Sequence, residues 1–299
     1  MGKRIGLVVN PTSGKNRGMS LGLEVAHRLR NAGHDVLELS DESYAAARDR
    51  ALGAIAQGLD VLAVVGGDGM VHLGVNLAAD SKVPLAVIAA GTGNDVARGL
   101  GLPVHDPVRA ADIVTTGVPR TIDAVRHVDA HGDRRWFAGV LGAGFDSLVN
   151  ERANTWPWPK GQMRYNLAIL RELPLFRAIP YAITIDGTRH ETRAMLVVVA
   201  NGPSYGGGMR VAPDAEFDDG LADVVILHEI STLEFLKVFP KVFKGAHVTH
   251  PAVEIIRGRT VSLEADGIVA YADGERFAPL PLTVETVPGA VTVLAPAAT

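Results

Sequence analysis

The sequence predicts an α/β protein in which an N-terminal doubly wound, mostly parallel sheet domain is followed by a mainly antiparallel β-sandwich domain with helical insertions. Over residues 1–124, apolar runs alternate with helical patterns, as in parallel sheets with right-handed crossovers. Over residues 125–299, short strands with local returns dominate, which is typical of antiparallel sandwiches. A chain of 299 residues is also long enough for two cores.

The amino-acid composition of the chain excludes several classes of protein and of site. The net charge is −4 and there is no long run of lysine and arginine, so we expect no nucleic-acid partner. The absence of cysteine excludes disulfides, thiolate metal sites and thiol catalysis. No uncharged apolar stretch reaches the ~18–20 residues that span a bilayer, and the N-terminal apolar stretch is too short for a signal peptide. We therefore expect a protein that is not exported and whose membrane contact is peripheral.

Residues 61–70 organise the first half of the chain. A continuous apolar run over residues 61–65 breaks into Gly66, Gly67, Asp68 and Gly69 and then enters a helical pattern. Such a run predicts a buried parallel strand, and ligands bind where these strands end. Glycines let backbone N–H groups approach a charged ligand, and Asp68 supplies an oxygen for a metal or a hydroxyl. We interpret the turn as a nucleotide phosphate site; a tight turn with a solvated aspartate is the alternative.

Two further polar turns follow strands at residues 5–9 and 36–39. The second ends at Ser40, and the first continues into a donor-rich turn before a helix expected at residues 19–29. A Walker P-loop is rejected because Gly14-Lys15 precedes asparagine. A phosphate-cradling turn and an ordinary solvated loop both remain open. The turn consists of Asn10, Pro11, Thr12, Ser13, Gly14 and Lys15.

A second glycine turn strengthens the phosphate-site interpretation. The strand predicted at residues 84–89 ends in the sequence Ala-Gly-Thr-Gly-Asn-Asp over residues 90–95. It lacks the third glycine of a dinucleotide fingerprint. Its pairing with the Gly-Gly-Asp-Gly turn about 24 residues earlier, each after a buried strand, is far more specific than either turn alone.

These two turns resemble those of the diacylglycerol-kinase catalytic-domain family, which includes bacterial and sphingosine-kinase-like members. Met70 departs from the Thr or Asn that family members usually carry after Gly-Gly-Asp-Gly. The resemblance implies that Asp95 orients the site, although a helix N-terminal carboxylate interacting with the dipole is the alternative. It also implies ATP contacts at Asn10, Pro11, Thr12, Ser13, Gly14, Lys15, Ser40, Gly66, Gly67, Asp68, Gly69 and Thr92.

The second half begins with short strands and a glycine-led turn expected to enter a helix at residues 142–150. Bulky apolar and basic side chains then mix over residues 156–177, around a helix expected at 162–172. This mixture suits an acyl-chain cleft or a membrane-surface contact. A helix packed on a sheet, with its basic side chains extended to solvent, is an equally good interpretation. A β-hairpin is expected over residues 181–200.

The resemblance extends to the glycine-rich loop at residues 201–215, so it covers nearly the whole chain. Acidic residues follow this loop, and oxygen ligands suit a hard cation. The resemblance implies a structural magnesium site at Glu216, Asp219 and the Leu221 carbonyl. Without the resemblance, a solvated acidic turn is the simpler interpretation.

Asp273-Gly274-Glu275 predicts a hairpin turn. The resemblance makes Glu275 the general base, because a carboxylate there can take a proton from an attacking hydroxyl. The implied reaction is ATP-dependent phosphorylation of a lipid hydroxyl, with diacylglycerol as the first candidate, in a groove between the domains. Asp68 would help hold the nucleotide magnesium. The implied location is the cytoplasm, with transient contact at the inner face of the membrane.

Two other functions remain open from the sequence. A NAD kinase shares the Gly-Gly-Asp-Gly turn and the two-domain plan, but no Thr-Pro-Thr-Gly-Ser-like segment is present. A catalytically silent lipid- or nucleotide-binding regulator is favoured if the position of Met70 is essential. The sequence leaves open which lipid is used and whether the protein forms a homodimer.

Overall fold

The computed structural model describes residues 2–41, 43–145, 147, 149, 152, 155, 156, 167, 171 and 177–297. The chain divides into two compact units. The first comprises Met1–Ala124 with Pro288–Thr299, and the second comprises Val125–Val287. Among the described residues, no helix combines the length and apolar character needed to cross a membrane.

The first unit is built on a parallel sheet in the order β4-β3-β1-β2. In register, Ile5 of β1 lies beside Val61 of β3 and Val36 of β2. Helices connect the strands, as crossovers between parallel strands require. The elements are β1 (Arg4–Val9), α1 (Ser13–Asn31), β2 (Asp35–Glu38), α2 (Tyr44–Ala56), β3 (Val61–Gly66), α3 (Asp68–Ser81), β4 (Leu85–Ala89), α4 (Asp95–Gly99) and α5 (Pro107–Thr116).

Burial explains why the strands of the first unit read as continuous apolar runs. Every residue of β3 is buried, as is every residue of β4, because helices cover both faces of a parallel sheet. The sheet, α1 and α5 share one apolar core that includes Leu7, Val25 and Val114. The parallel-sheet prediction for this part of the chain is confirmed.

Helix α1 begins earlier than expected. It starts at Ser13, so Ser13, Gly14 and Lys15 lie in its first turn and not in the preceding loop. The expected start at residue 19 was wrong because Gly18 and Gly22 have low intrinsic helix propensity. In the fold these glycines allow close packing: a Cβ on Gly18 would lie 2.0 Å from the Asn10 carbonyl oxygen.

The second unit is an antiparallel β structure, which confirms the predicted fold class. Its strands follow the order β14-β13-β7-β9-β8-β12-β15, with β10 beside β9 and β11 beside β10. Strand β5 (Val118–Val128) enters from the first unit, and β15 (Leu282–Ala295) returns to it. The other elements are β6 (Arg134–Phe137), β7 (Val140–Gly144), β8 (Ile179–Ile185), β9 (Thr188–Ala200), β10 (Ala222–His228), α6 (Thr232–Val238), two 3₁₀ helices (Phe239–Lys244 and Ala246–Thr249), β11 (Val253–Gly258), β12 (Thr260–Glu264), β13 (Val269–Ala272) and β14 (Glu275–Pro279).

The expected hairpin is confirmed: β8 pairs antiparallel with β9, with Ile185 opposite Thr188. The glycine-led turn expected from residue 142 is wrong. Gly142 belongs to β7 and lies opposite Val198 of β9. Gly144 needs the absence of a side chain, since a Cβ there would lie 2.8 Å from the Met195 carbonyl oxygen.

The end of the chain also differs from the expected domain division. Residues 288–299 group with the first unit, and Val293 of β15 lies parallel to Leu85 of β4. The sequence pattern could not show this, because an added parallel strand and an antiparallel strand can share the same apolar alternation.

The aromatic and basic stretch at residues 156–177 lies mostly outside the described residues. That applies to Trp158, Tyr165 and Phe176 and to the basic side chains of Lys160 and Arg164. The helix expected at 162–172 and the lipid-contact interpretation of this stretch therefore stay predictions.

Candidate functional site

Three polar turns of the first unit follow the carboxyl ends of β1, β3 and β4 and lie against one another. The backbone N–H of Asn10 donates to the carbonyl of Val65 at 3.0 Å, which ties the first turn to the end of β3. A Cβ on Gly91 would lie 2.3 Å from Cα of Gly67, so the other two turns meet through their glycines. The structure thus brings the predicted turns to one edge of the parallel sheet, where ligands of such sheets bind.

The side chain of Asn10 organises the first turn. Its Oδ1 accepts the backbone N–H of Thr12 at 3.1 Å and the Thr12 hydroxyl at 2.9 Å. Pro11 and Thr12 are exposed, and Ser13 begins α1. The Ser13 Oγ lies 3.9 Å from the ideal Cβ position of Gly67. The Ser13 hydroxyl therefore borders the second turn.

Gly14 lies at the closest approach between α1 and the third turn. Its φ is +58°, and a Cβ there would lie 2.0 Å from the Ala90 carbonyl oxygen. Both facts require glycine. The backbone of Lys15 continues α1, whereas its side chain lies outside what the structure describes.

Ser40 is half-buried at the end of β2. Its Oγ accepts the backbone N–H of Val9 at 2.8 Å. The hydroxyl hydrogen can still be donated, so a nucleotide contact remains a prediction beside this structural role.

The carboxylate of Asp68 joins the second and third turns. Its Oδ1 accepts the backbone N–H of Asp95 at 2.7 Å and that of Val96 at 3.4 Å, and its Oδ2 accepts the N–H of Asn94 at 2.9 Å. Hydrogen bonds to an ionised acceptor are among the strong ones. An ionised carboxylate can accept several contacts at once, so these bonds do not exclude a magnesium ion. The magnesium contact of Asp68 stays a prediction.

Asn94 fixes the shape of the third turn and was not among the predicted site residues. It is 1% exposed and adopts a φ of +55°. Its side-chain Oδ1 accepts the N–H of Gly91 at 2.9 Å, and its Nδ2 donates to the Gly91 carbonyl at 2.8 Å. Asparagine tolerates this backbone conformation and commonly bonds nearby backbone, which is the sequence signal that could have identified it.

The remaining predicted residues of these turns differ in accessibility. Asp95 is buried in the first turn of α4, where a carboxylate is favoured by the N-terminal end of a helix. Thr92 is exposed and Gly69 is half-buried. Thr92 is therefore placed to offer its hydroxyl to a ligand.

Met70 places a packing residue where Thr or Asn is usual in the pattern. Its side chain is 8% exposed, and its Cγ lies 2.3 Å from the ideal Cβ position of Gly66. The methionine therefore covers the glycine at the end of β3. The departure from the family pattern changes the packing beneath the turn and leaves the glycine backbone in place.

Positive charge gathers beside the third turn. The Nε of Arg98 donates to the Gly93 carbonyl at 2.9 Å. The pKa of His105 is lowered by partial burial and, to a smaller extent, by the positive charges of Arg17 and Arg98. These three residues are dispersed in the sequence and were not predicted. Glycine N–H groups beside cations are suited to a polyphosphate.

Asp123 is a further buried carboxylate of the first unit that was not predicted. It is 2% exposed, and its Oδ1 accepts the backbone N–H of Gly289 at 2.8 Å. A buried carboxylate requires such partners. The bond fixes the end of the chain to β5.

In the second unit, Glu275 begins β14 and is exposed. It lies opposite Ala272 across the hairpin. Asp273 and Gly274 form the turn with φ values of +52° and +85°, the pattern of a two-residue type I′ connection. The expected hairpin turn is confirmed, and the carboxylate of Glu275 faces solvent.

Asp273 fixes this hairpin, a role that the sequence did not reveal. Its Oδ1 accepts the backbone N–H groups of Gly139 at 3.0 Å and Val140 at 3.1 Å. The fully buried Asn201 holds the same segment, since its Nδ2 donates to the Ala138 carbonyl at 2.9 Å. The backbone that carries Glu275 is therefore held by side-chain contacts on one side of its turn.

The residues predicted to bind magnesium are not arranged as a site that is ready to accept a cation. The Oδ1 of Asp219 accepts the N–H of Leu221 at 3.0 Å, and its Oδ2 pairs with the guanidinium of Arg257. Glu216 is exposed. Over the part of the chain that the structure describes, no group of three His, Cys, Asp or Glu side chains could hold a metal ion.

The guanidinium of Arg257 is itself the cation that contacts Asp219. Its Nε also lies 3.6 Å from Oδ2 of Asp223, whose pKa is raised mainly by burial. As arranged, the residues do not fit a metal ion at Glu216, Asp219 and the Leu221 carbonyl unless Arg257 moves away. No chemical step is therefore assigned to a metal at this position.

Two family models match the chain: the diacylglycerol kinase catalytic domain over residues 4–127 and the YegS C-terminal NAD kinase beta sandwich-like domain over residues 139–295. These matches place the protein among the kinases, a class of transferases. A diacylglycerol kinase of Mycobacterium tuberculosis is 41% identical over 294 residues, covering 98% of this chain and 95% of the relative. The chain belongs to the diacylglycerol kinase family.

Other relatives agree with this assignment. A diacylglycerol kinase of Bacillus subtilis is 30% identical over 283 residues, covering 93% of this chain and 92% of the relative. A solved diacylglycerol kinase structure from Bacillus anthracis has a TM-score of 0.72 at 21% identity, covering 98% and 96% of the two chains. At that identity the solved structure supports the fold alone.

Proposed function

We propose that the protein transfers the γ-phosphate of ATP to the hydroxyl of diacylglycerol or a related lipid, which gives a phosphatidic-acid-type product. The observation that carries the proposal is the joining of two glycine turns by Asp68 at the edge of the parallel sheet. Membership of a kinase family implies ATP as the phosphate donor. The choice of diacylglycerol follows the names of the relatives.

Residues 1–124 are proposed to bind the nucleotide. The glycines of the second and third turns would offer N–H groups to the phosphates, and Arg17 and Arg98 would supply positive charge. Phosphoryl transfer requires alignment and charge neutralisation more than covalent chemistry. Magnesium carried by the nucleotide would add to this neutralisation, and Asp68 is its proposed protein contact.

Glu275 is proposed as the general base of the second unit. Its carboxylate would accept the proton of the lipid hydroxyl as that oxygen attacks the γ-phosphorus, and ADP would leave with the electrons of the broken P–O bond. Asp273 would act as a positioning residue, because it bonds the backbone next to the hairpin turn.

NAD kinase is the second candidate. The family model of residues 139–295 describes an NAD kinase beta sandwich-like domain, and this observation favours it. The acceptor would then be a ribose hydroxyl and not a lipid hydroxyl.

One transfer assay distinguishes the candidates. The protein is incubated with magnesium and ATP labelled in the γ-phosphate, and with dioleoylglycerol, ceramide, a sphingoid base and NAD as separate acceptors. Products are separated by thin-layer chromatography and identified by mass spectrometry. The proposal predicts label in phosphatidic acid or another lipid phosphate. Label in NADP alone would establish the second candidate, and ATP binding without transfer would identify a silent regulator.

A further inference from the structure

Residues 233–244, called here the basic apolar segment, present two chemically different faces. Phe235, Val238 and Val242 are buried, and Phe235 packs edge-on against Phe145 at 5.5 Å between ring centroids. These positions are separated by three and four residues, as on one side of a helix. The buried face accounts for the folding of the segment.

The opposite face exposes large apolar side chains. Leu233 is 73% exposed, Leu236 44% and Phe243 45%. The ring of Phe243 contacts that of Phe239 edge-on, with 6.1 Å between the ring centroids, so the exposed ring packs against a second aromatic side chain. Exposed apolar residues that are grouped in this way indicate a binding surface more strongly than single ones do.

Lysines lie between these apolar side chains. Lys237, Lys241 and Lys244 are exposed and are three of the seven lysines in the sequence. Arg210 adds a fourth cation, because its backbone N–H donates to the Val242 carbonyl at 3.0 Å and its side chain is exposed.

Glu234 is the one acidic residue of the basic apolar segment. Residues 235–253 contain no aspartate or glutamate. Glu234, which precedes them, pairs with His250 at 3.2 Å. In a protein whose net charge is −4, the basic apolar segment is therefore a local positive region.

We propose that the basic apolar segment docks the protein on an anionic lipid surface. Leucine and phenylalanine side chains would enter the boundary between head groups and acyl chains, while the lysines would contact lipid phosphates. Charge complementarity selects this partner, since a neutral apolar partner would leave the cations without a counterpart. The inference deepens the proposed function, because a lipid substrate resides in such a surface.

Vesicle sedimentation tests the charge component. Wild-type protein is expected to bind phosphatidylcholine vesicles that contain phosphatidylglycerol more tightly than vesicles of phosphatidylcholine alone, and added salt should weaken that binding. The triple variant Lys237→Gln/Lys241→Gln/Lys244→Gln should lose on the order of 100-fold in binding to the anionic vesicles. The control Arg48→Gln/Lys82→Gln/Arg109→Gln removes the same charge elsewhere and should lose far less.

Site-specific labelling tests contact by the apolar side chains. The chain has no cysteine, so Phe243→Cys accepts a single polarity-sensitive fluorophore. Val108→Cys on α5 is the control, with 43% exposure against 45% for Phe243. Anionic vesicles should shift the emission of the label at position 243 to the blue and leave the label at position 108 unchanged.

Three outcomes would overturn the inference. They are equal binding of wild-type protein to the two vesicle types, equal losses in the two triple variants, and a dimer that Leu233→Ser/Phe243→Ser converts to a monomer. Vesicle binding is measured without ATP, so it is separate from turnover. If the protein binds anionic vesicles and phosphorylates no lipid, the proposed function fails and the docking surface stands. If it phosphorylates lipid in detergent micelles but does not bind vesicles, the docking surface fails and the proposed function stands.

Discussion

The carboxylate of Asp68 accepts the backbone N–H of Asp95 at 2.7 Å. This bond connects the glycine turn after β3 with the helix that follows the glycine turn after β4. Two segments that are separated in sequence are thus fixed at one sheet edge by a single side chain. The proposed phosphate-binding geometry depends on this connection, whether or not Asp68 also contacts magnesium.

Replacement of Asp68 should therefore affect nucleotide binding through the shape of the third turn. Asp68→Ala removes three acceptor contacts, and hydrogen bonds to charged groups contribute about 1.5–3 kcal/mol each. We expect the dissociation constant for ATP to rise at least about tenfold, measured by calorimetry with and without magnesium. If the loss occurs only with magnesium present, Asp68 acts as a metal contact and not as a connector. Asp112→Asn, an exposed change on α5, is the control.

Glycine at position 91 should be indispensable. A Cβ there would lie 2.3 Å from Cα of Gly67 and 2.9 Å from Oδ1 of Asn94, so Gly91→Ala must separate the two turns. ATP affinity should fall at least about tenfold while the rest of the fold persists. Gly53→Ala on α2 is the matched control, because no atom lies within 4 Å of the Cβ that alanine would add. Alanine should stabilise the helix by about 0.5–1 kcal/mol. Unchanged ATP affinity in Gly91→Ala would contradict the proposed contact.

Arg257 should make the stability of the wild-type protein independent of added magnesium. Its guanidinium pairs with Asp219 and lies 3.6 Å from Asp223, so Arg257→Gln leaves two carboxylates without their cation. We expect the variant to lose about 1–2 kcal/mol and to regain part of it with magnesium. Thermal unfolding in EDTA and in magnesium chloride measures this effect.

Arg259→Gln is the control for that measurement, since Arg259 pairs with the half-buried Glu285 at 3.4 Å. It should unfold at the same temperature in both solutions. A magnesium-dependent rise in the wild-type midpoint would instead favour a cation at Glu216, Asp219 and Leu221.

His247 should make the protein sensitive to acid. It is 6% exposed, and burial lowers its pKa, an effect partly opposed by the bond from Nε2 to the Val211 carbonyl at 3.1 Å. Because the folded-state pKa lies below the unfolded value of 6.5, the unfolded state binds more protons between the two values. The contribution of neutral His247 to the free energy of unfolding should therefore be fully present above pH 6.5. It should decrease as the pH drops toward the folded-state pKa.

Urea unfolding at pH 7 and pH 5 tests this expectation. His247→Gln retains a donor without a titrating group, so it should lose less stability than wild type between the two pH values, by up to about 1.4 kcal/mol per pH unit in the affected range. His27→Gln, an exposed change on α1, should lose as much as wild type. Identical losses in all three proteins would exclude His247 as the acid-sensitive group.

The strand ends were predictable from the sequence because buried parallel strands are continuous apolar runs and the turns that follow β3 and β4 are glycine-rich. The strand and turn at residues 61–69 and the turn at residues 90–95 could be located from the sequence alone. The start of α1 was not predictable from propensity, since Gly18 and Gly22 weaken an isolated helix. Gly22 packs closely on Val9 of β1 and Gly18 on Asn10 in the turn after it, and these contacts exist only in the folded protein.

The side chains that hold the site were harder to predict than the turns themselves. Asn94 and Asp273 act on backbone groups, and the Asp273 partners lie more than 130 residues away in sequence. The pairing of Arg257 with Asp219 spans 38 residues and places an arginine beside the acidic cluster that the sequence predicted as a cation site. Such contacts depend on tertiary structure and leave no local pattern.

The protein is proposed to phosphorylate a lipid hydroxyl with Glu275 as the base. The most direct measurement is formation of phosphatidic acid from dioleoylglycerol and ATP by wild type and Glu275→Gln, with ATP affinity measured on the same samples. We predict product from wild type, a loss of at least about 100-fold in the variant and equal ATP affinities. No phosphatidic acid from wild type, or equal rates from the two proteins, would contradict the account.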